Sequence, residues 1–528
     1  MNIQALKSAW SAGWNYKPLW YILIGAAFIR IWAAFGSPGY LMTDDHFLTV
    51  EVAGSWAVDQ NFNDWIPGWG NNKTKVEGFS FLYPGICFGF YKTMHAIGIH
   101  DPQHQQLIFR ILHALWSVLT VYYVFKLAER IGNKQVAVTA GLLMAFLGVI
   151  PLFAVRNLVE LVGHPLIIGG LYYLSFPQMR KWVLGSIFLG LAVGVRYQNA
   201  WIPIGWGIAY VFLRQWKMVA VVCLVSFGVF FLTQIDDILL WGGKPFQHIE
   251  SYLNYNATHS GDYPGSPLTY LSWLGYFILP PVSLFLLWGT MVPLLRRRYS
   301  IAVGQPIIWA MLAAFYLFVI FHIVYPNRQE RFLFPILPVF IVVGIWGWYA
   351  WLEQSGNQNN RWIQRGWNFF WITNTIVLLV SANIYPKRAR VESAYQLYKY
   401  GDAQNFIQDF AHKESNPLTP KFYVGSWSEN YALSMKDDRK AMAEALDKVE
   451  RKTRGQLHYR RYPNYILFFQ DVDLENRVEA WKKYFPHLTY CTRVEPGFFD
   501  QMLHKLNPVN SLESVTIYKI PKEDIKAF

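Results

Sequence analysis

From residue 18 to 386 the chain alternates apolar runs of about 17 to 25 residues with short polar connections, the length a helix needs to cross a ~30 Å hydrocarbon core. A window of about 19 residues sets spans near 18–36, 107–127, 136–154, 158–176, 183–200, 201–214, 217–235, 267–291, 305–325, 332–352 and 367–385. That predicts about eleven crossings. The pair at 183–214 is short and interrupted by Arg196 and Pro203. Broken helices of this kind are tolerated only where backbone groups find partners inside the protein.

After residue 386 the rhythm changes. Residues 391–411 alternate apolar and polar groups at helical spacing, and strand-like runs follow at "KFYVGSW" (421–427), "NYILFFQ" (464–470), "HLTYCTRV" (487–494) and "VTIYKI" (515–520). A helical pattern, "RKAMAEALDKVE", separates the first two. The pattern predicts a transmembrane domain over 1–386 and a soluble α/β domain over 387–528. Neither G-x-G-x-x-G nor G-x-x-x-x-G-K-[ST] occurs in the tail, so a nucleotide site there has no support.

Composition agrees with lipid as the solvent. Of 528 residues, 53% are apolar, 18% aromatic and only 15% charged, against about 25% charged in soluble domains. The first apolar run carries Arg30 and lacks a small-residue cleavage site, so it reads as a retained helix rather than a cleavable signal. Cys87, Cys223 and Cys491 form no C-x-x-C pair and indicate neither a disulfide framework nor zinc.

The net charge of +13 is partly explained by topology. Lys7 and Lys17, then Lys126, Arg130 and Lys134, Arg180 and Lys181, Arg214 and Lys217, Arg296 to Arg298, and Arg361 with Arg365 all fall on one side, which the positive-inside rule makes cytoplasmic. The opposite side keeps loops 37–106 and 236–266, the turn at 326–331 and the tail. Lys387, Arg388 and Arg390 dissent by following the last span on that outer side. No basic stripe with interleaved aromatics points to nucleic acid.

The outer side is where ionisable groups collect. Asp44, Asp45, His46 and Glu51 follow the first span, and later boundaries carry Arg156 with Asn157 and Glu160, Arg196, Asp236 with Asp237, and "YPNRQERF" (325–332). Such groups at a membrane boundary cost several kcal/mol unless paired or used, so this inventory predicts one polar cavity opening outwards. Arginine matches phosphate bidentately, aromatic faces stack on sugar rings, and a carboxylate can take the proton of an attacking hydroxyl. The combination suits glycosyl transfer from a lipid-linked sugar phosphate, because nucleotide sugars are kept in the cytoplasm.

Two stretches carry a family resemblance. "TDDHFLTVEVA" (43–53) resembles the first-loop signature of the GT22 mannosyltransferases, GT-C enzymes of GPI-anchor and N-glycan precursor assembly, whose pattern reads roughly H-P-D-E-x-F-x-x-x-E-x-A. "NRQERFLFPILP" (327–338) resembles their second signature, H-K-E-x-R-F-x-x-P-x-x-P. Both lie in the expected order on the predicted outer side.

The resemblance implies a multi-pass GT-C fold and an inverting transfer of a mannose-type sugar from a polyprenyl-phosphate donor to a hydroxyl of a glycan or glycolipid acceptor. Asp44 matches the first acid of the signature and would be the general base; Asp45 matches its Glu and would orient the acceptor or assist. Arg331 and Arg328 match the Arg and Lys of the second signature, as candidates to hold the donor phosphate. The substrate-binding set is completed by Glu51, Arg156, Arg196 and Glu330. Met42, Thr43, Asn327 and Gln329 depart from the family's His, Pro, His and Glu. The implied location is a bacterial inner membrane with a periplasmic site, or the endoplasmic reticulum in a eukaryote.

Other readings compete. Asp236 and Asp237 could close a Mg²⁺ or Mn²⁺ site with Asp44 and Asp45, although no metal motif is present. Arg196 could simply brace its broken helix pair, and His164 and His322 read as packing groups within spans. A transporter or flippase for sugars or lipid-linked intermediates would share the helices and the charges, but no half-to-half repeat is visible.

Overall fold

A computed structural model describes residues 18–59, 80–235, 244–259, 265–270, 277–295, 306–411, 419–425, 430–433, 463–508 and 512–527. The chain forms two compact units. One comprises Met1–Phe35, Lys73–Gly85 and Phe109–Ala382; the other comprises Gly36–Asn72, Ile86–Ile108 and Asn383–Phe528.

The first unit is helical. Every apolar run read from the sequence contains a helix: Pro18–Gly36, Pro102–Ile131, Lys134–Phe146, His164–Leu174, Met179–Val195, Trp201–Phe212, Trp216–Leu232, Val282–Leu295, Pro306–Val324, Leu337–Ser355 and Arg361–Ser381. Among the described residues, Pro18–Gly36, Pro102–Ile131, Pro306–Val324 and Glu330–Ser355 are long and apolar enough to cross a membrane by themselves. Several of the others are shorter than their apolar runs because the backbone breaks inside them. Between Phe146 and His164 the chain makes only the short helices Ile150–Ala154 and Val159–Val162, with Gly148, Pro151, Gly163 and Pro165 as punctuation. At Arg196 the backbone turns extended (φ −150°, ψ 120°) before a 3₁₀ turn at Tyr197–Ala200.

These breaks are satisfied internally, as a low-dielectric setting requires. The fully buried Arg30 donates to Ala145 O at 2.8 Å, Met144 O at 2.9 Å and Ala26 O at 3.3 Å. Two of those carbonyls are orphans at the C-terminus of Lys134–Phe146, where the helix dipole also favours a cation. Asn374 bridges the same break, donating to Phe146 O and accepting from Gly148 N, both at 2.7 Å. Close packing elsewhere depends on glycine: a Cβ on Gly289 would lie 1.9 Å from Gly344 O, so helices Val282–Leu295 and Leu337–Ser355 touch backbone to backbone.

The second unit begins with a helical stretch, Thr43–Asp45, that widens into a π turn at His46–Glu51 and continues as Val52–Asp59. Its tail builds a five-stranded sheet from β1 (Asn405–Phe410), β2 (Asn430–Leu433), β3 (Pro463–Phe469), β4 (Thr489–Val494) and β5 (Val515–Lys519), in the order β2-β1-β3-β5-β4. β1 pairs in parallel with β2 and β3, whereas β5 runs antiparallel to β3 and β4. β1 and β3 are buried along their whole length, as expected of strands covered on both faces. Asp409 in β1 is locked by Arg477 Nε at 2.6 Å and Trp481 Nε1 at 2.6 Å.

Two features of the tail differ from the sequence expectation. The helix starting at Arg388 stops at Tyr400, where Gly401 takes the left-handed conformation (φ +70°) that ends helices, and β1 follows. The run at 421–427 is not a strand over its described part: Lys421–Val424 is a 3₁₀ turn closed by Gly425 at φ +69°. A Cβ there would meet Tyr398 Cδ2 at 2.5 Å. The helical pattern at 439–450 lies outside the described residues.

Candidate active site

In the first unit three backbone irregularities bring three charged side chains together. Glu160 sits in the one-turn helix Val159–Val162, Arg196 in the break after Met179–Val195, and Arg331 in the 3₁₀ turn Glu330–Ile336. The Glu160 carboxylate has no exposed surface; Arg196 Nη2 stands 3.0 Å from its Oε1 and Arg331 Nε 4.0 Å from the same atom. Both guanidiniums also lie over the Phe332 ring, at 5.5 and 5.6 Å from its centroid, a favourable cation–π arrangement. Two cations thus share one carboxylate and one aromatic face. Arg196 retains 21% exposure, so a ligand can reach it.

Neutral groups orient this trio. Arg331 Nε donates to Gln329 Oε1 at 2.8 Å and Arg196 Nε to Gln198 Oε1 at 3.0 Å. Gln329 thereby keeps the hydrogen bond that the family's Glu could make while adding no negative charge. Tyr252, from the helix Gln247–Thr258, flanks the site; burial raises its phenol above the ordinary value, against the pull of the Arg196 charge.

The neighbouring candidates have other surroundings. Arg328 donates to three backbone carbonyls, those of Gly265, Pro326 (3.2 Å) and Ile323 (2.9 Å), and so ties its own turn to the 265–270 segment. Buried Arg156 donates to Leu152 O at the end of Ile150–Ala154, and Glu330 is exposed. His164 Nε2 and His322 Nδ1 each bond a backbone oxygen at 2.7 Å, of Phe334 and Phe318 respectively, which suits the packing role expected for them.

In the second unit, Asp44 is exposed and Asp45 half-buried on the short helix that enters the π turn. Glu51, at the other end of that turn, is 2% exposed, with both carboxylate oxygens 3.0 Å from the backbone nitrogen of Phe422 and Oε1 3.1 Å from His46 Nε2. The His46 ring stacks between Tyr40 and Tyr423, with centroids 4.5 and 5.7 Å away. Phe422 also lines a cavity of about 320 Å³, together with Tyr91, His95, His100, Gln105 and Gly425. Burial lowers the His95 imidazole, helped by His100 and Lys92.

Among the described residues no three His, Cys, Asp or Glu side chains gather as a metal site. Asp236 and Asp237 lie outside the described residues. In the sequence Glu160 is one of several boundary acids. Its place inside an apolar run, four positions after Arg156, was the available signal.

A sequence profile of the Alg9-like mannosyltransferase family matches residues 20–423, which include both motifs and end within the 421–424 turn. The chain belongs to this family. As a member it is a GT-C mannosyltransferase of the membrane-embedded, multi-pass kind. This mannosyltransferase is 24% identical over 397 residues to Mannosyltransferase APTG1 of Arabidopsis thaliana, covering 71% of this chain and 68% of that one. It is 24% identical over 334 residues to GPI mannosyltransferase 3 of Yarrowia lipolytica, covering 60% of each. Its fold is similar to that of ArnT from Cupriavidus metallidurans solved with undecaprenyl phosphate, with a TM-score of 0.54 at 12% identity over 94% of this chain and 97% of that one. The GT-C architecture expected from the two motifs is therefore the architecture found.

Proposed function

We propose that this mannosyltransferase moves mannose from a polyprenyl-phosphate carrier to a hydroxyl of a glycan or glycolipid, with inversion, on the side of the membrane away from the cytoplasm. The observation that carries the reading is the Glu160–Arg196–Arg331 cluster. Two guanidiniums gathered on one buried carboxylate form a preorganised anion site with an excess of positive over negative charge. The similarity to ArnT, whose structure holds undecaprenyl phosphate, and the kinship with a GPI mannosyltransferase support a lipid-linked donor and a glycolipid acceptor.

The chemistry then needs one displacement. The carboxylate of Asp44 takes the proton of the acceptor hydroxyl; the hydroxyl oxygen attacks the anomeric carbon; the bond from that carbon to the phosphate oxygen breaks; and polyprenyl phosphate leaves with the electron pair. Arg196 and Arg331 stabilise the charge that grows on the phosphate, and Asp45 orients the acceptor. The topology in this reading has about eleven crossings, with the tail from 387 on the outer side.

The test is transfer of labelled mannose by purified protein in lipid, supplied with polyprenyl-phosphate mannose and extracted membrane glycolipids, beside the Asp44→Asn variant. Label entering an acceptor only with the unaltered protein supports the reading. A folded protein that moves no label from this donor overturns it. Repeating the assay with EDTA, and then with Mg²⁺ or Mn²⁺ restored, reads the cation dependence expected if the Asp44–Asp45 and Asp236–Asp237 pairs hold a metal.

A further inference from the structure

We infer that Glu51 is a positioning residue: it acts on Asp44 and Asp45 through the π turn and does not touch substrate. The inference rests on Asp44 being the base. Its grounds are the sealed state of the carboxylate and the geometry of the turn that joins it to the two aspartates.

A carboxylate that binds sugar must present a lone pair to the cavity. That of Glu51 is 2% exposed, and both oxygens accept from the Phe422 backbone N–H at 3.0 Å while one also faces His46. Its hydrogen-bonding capacity is turned towards the protein. The His46 contact depends on the local backbone. In an α-helix residues i and i+5 are about 140° apart around the axis; the wider π turn at His46–Glu51 brings them to one side, where the two side chains meet at 3.1 Å.

The clamp fixes the turn at both ends. Glu51 holds its end to Phe422, and His46 is gripped between the Tyr40 and Tyr423 rings, at interplanar angles of 17° and 7°. Asp45 is the residue on which the turn begins, and Asp44 precedes it. With one end of the turn bonded and the other stacked, the helix carrying the two aspartates cannot rotate about its axis. The family match ends at residue 423, so it includes this partner turn, which lies beyond the last span.

The experiment is steady-state kinetics of Glu51→Ala and Glu51→Gln, alone and combined with Asp44→Asn, with thermal melts of each. Loss of positioning predicts that kcat falls about 10²-fold in Glu51→Ala while KM for donor and acceptor stays within about twofold. Glu51→Gln, whose amide oxygen still accepts the Phe422 N–H, recovers to within about tenfold of the parent. Glu51→Ala adds no further loss to Asp44→Asn, because the group it positions is gone. A rise in acceptor KM at unchanged kcat makes Glu51 a substrate ligand and overturns the inference. So does a full additional loss in the Asp44→Asn background. Normal turnover of Asp44→Asn alone overturns the base assignment instead, which separates the two failures. Should Glu51→Ala not fold, Tyr423→Leu loosens the same turn without altering an acid, and a normal kcat there also overturns the inference.

Discussion

Arg196 Nη2 stands 3.0 Å from the carboxylate of Glu160, a group with no contact with solvent. A buried pair of this kind gives little net stability when intact, yet removing one member leaves a buried charge uncompensated and costs about 3–5 kcal/mol. Glu160→Gln is therefore expected to lower the melting temperature clearly, since it deprives two guanidiniums of one anion. Added polyprenyl phosphate should restore more of that loss in the variant than it adds to the parent. Equal ligand-induced shifts in the two proteins would separate Glu160 from the phosphate site.

Arg331 approaches that carboxylate from a 3₁₀ turn and is oriented by Gln329. Charge-assisted hydrogen bonds are worth about 1.5–3 kcal/mol each, so Arg331→Ala should weaken polyprenyl-phosphate binding by about 10- to 100-fold. Arg331→Lys should recover only part of this, because an ammonium lacks the planar fork. A titration giving unchanged affinity for the alanine variant would take Arg331 out of donor binding.

Asp44 is exposed at the start of its helix, so replacing it should not disturb packing. Asp44→Asn is expected to cut transfer by about 10²- to 10⁴-fold, the usual contribution of a general base, while the protein elutes and melts as the parent does. Normal turnover would show that another group takes the proton.

His248 gives the first unit a pH dependence. Burial pushes its imidazole down to about 4, below the value of about 6.5 in an unfolded chain, and the ring sits edge-on to Phe81 at 4.3 Å. Between those two values the unfolded chain binds a proton that the folded one refuses, so this contribution to stability is lost as pH falls. From pH 7 to 5 the linkage amounts to about 2 kcal/mol. His248→Gln should remove that much of the acid sensitivity measured by unfolding at the two pH values; an unchanged difference would assign the sensitivity to other groups.

The helical part was legible because lipid imposes a length on apolar runs, and each run does contain a helix. Where the reading ran long, the cause is local chemistry. Gly148, Pro151, Gly163 and Pro165 stop helices inside stretches that hydropathy joins together, since a window of ~19 residues averages over such breaks. The Arg196 break was visible because charge and proline coincide there. Glu160 was hard to weigh, as its importance lies in a distance to residues far along the chain. In the tail, β3, β4 and β5 announced themselves by apolar content. β1 was absorbed into the preceding helical pattern, and 421–425 looked extended because its apolar run hides a turn that only Gly425 betrays.

The positive cluster after the last span dissents from the positive-inside pattern, and two of its members have partners in the tail. Arg390 forms a two-pronged pair with Glu513 at 2.5 and 3.1 Å, and Arg388 donates to Glu495 O. Burial lowers the Lys387 amine as well. Arg388 and Arg390 are thus fastened to the tail as structural elements of the second unit.

The clamp on Glu51 also imposes a timetable. Glu51 and Phe422 are 371 positions apart, and at ribosomal speeds roughly 20 to 75 seconds pass between the synthesis of one and the other. Every apolar helix of the first unit has been made by then. A nascent chain in that interval lacks the Phe422 N–H that Glu51 accepts from, so this bond cannot yet seat its acidic helix. Arrival of the 419–425 turn is what closes that bond, late in the synthesis of the chain.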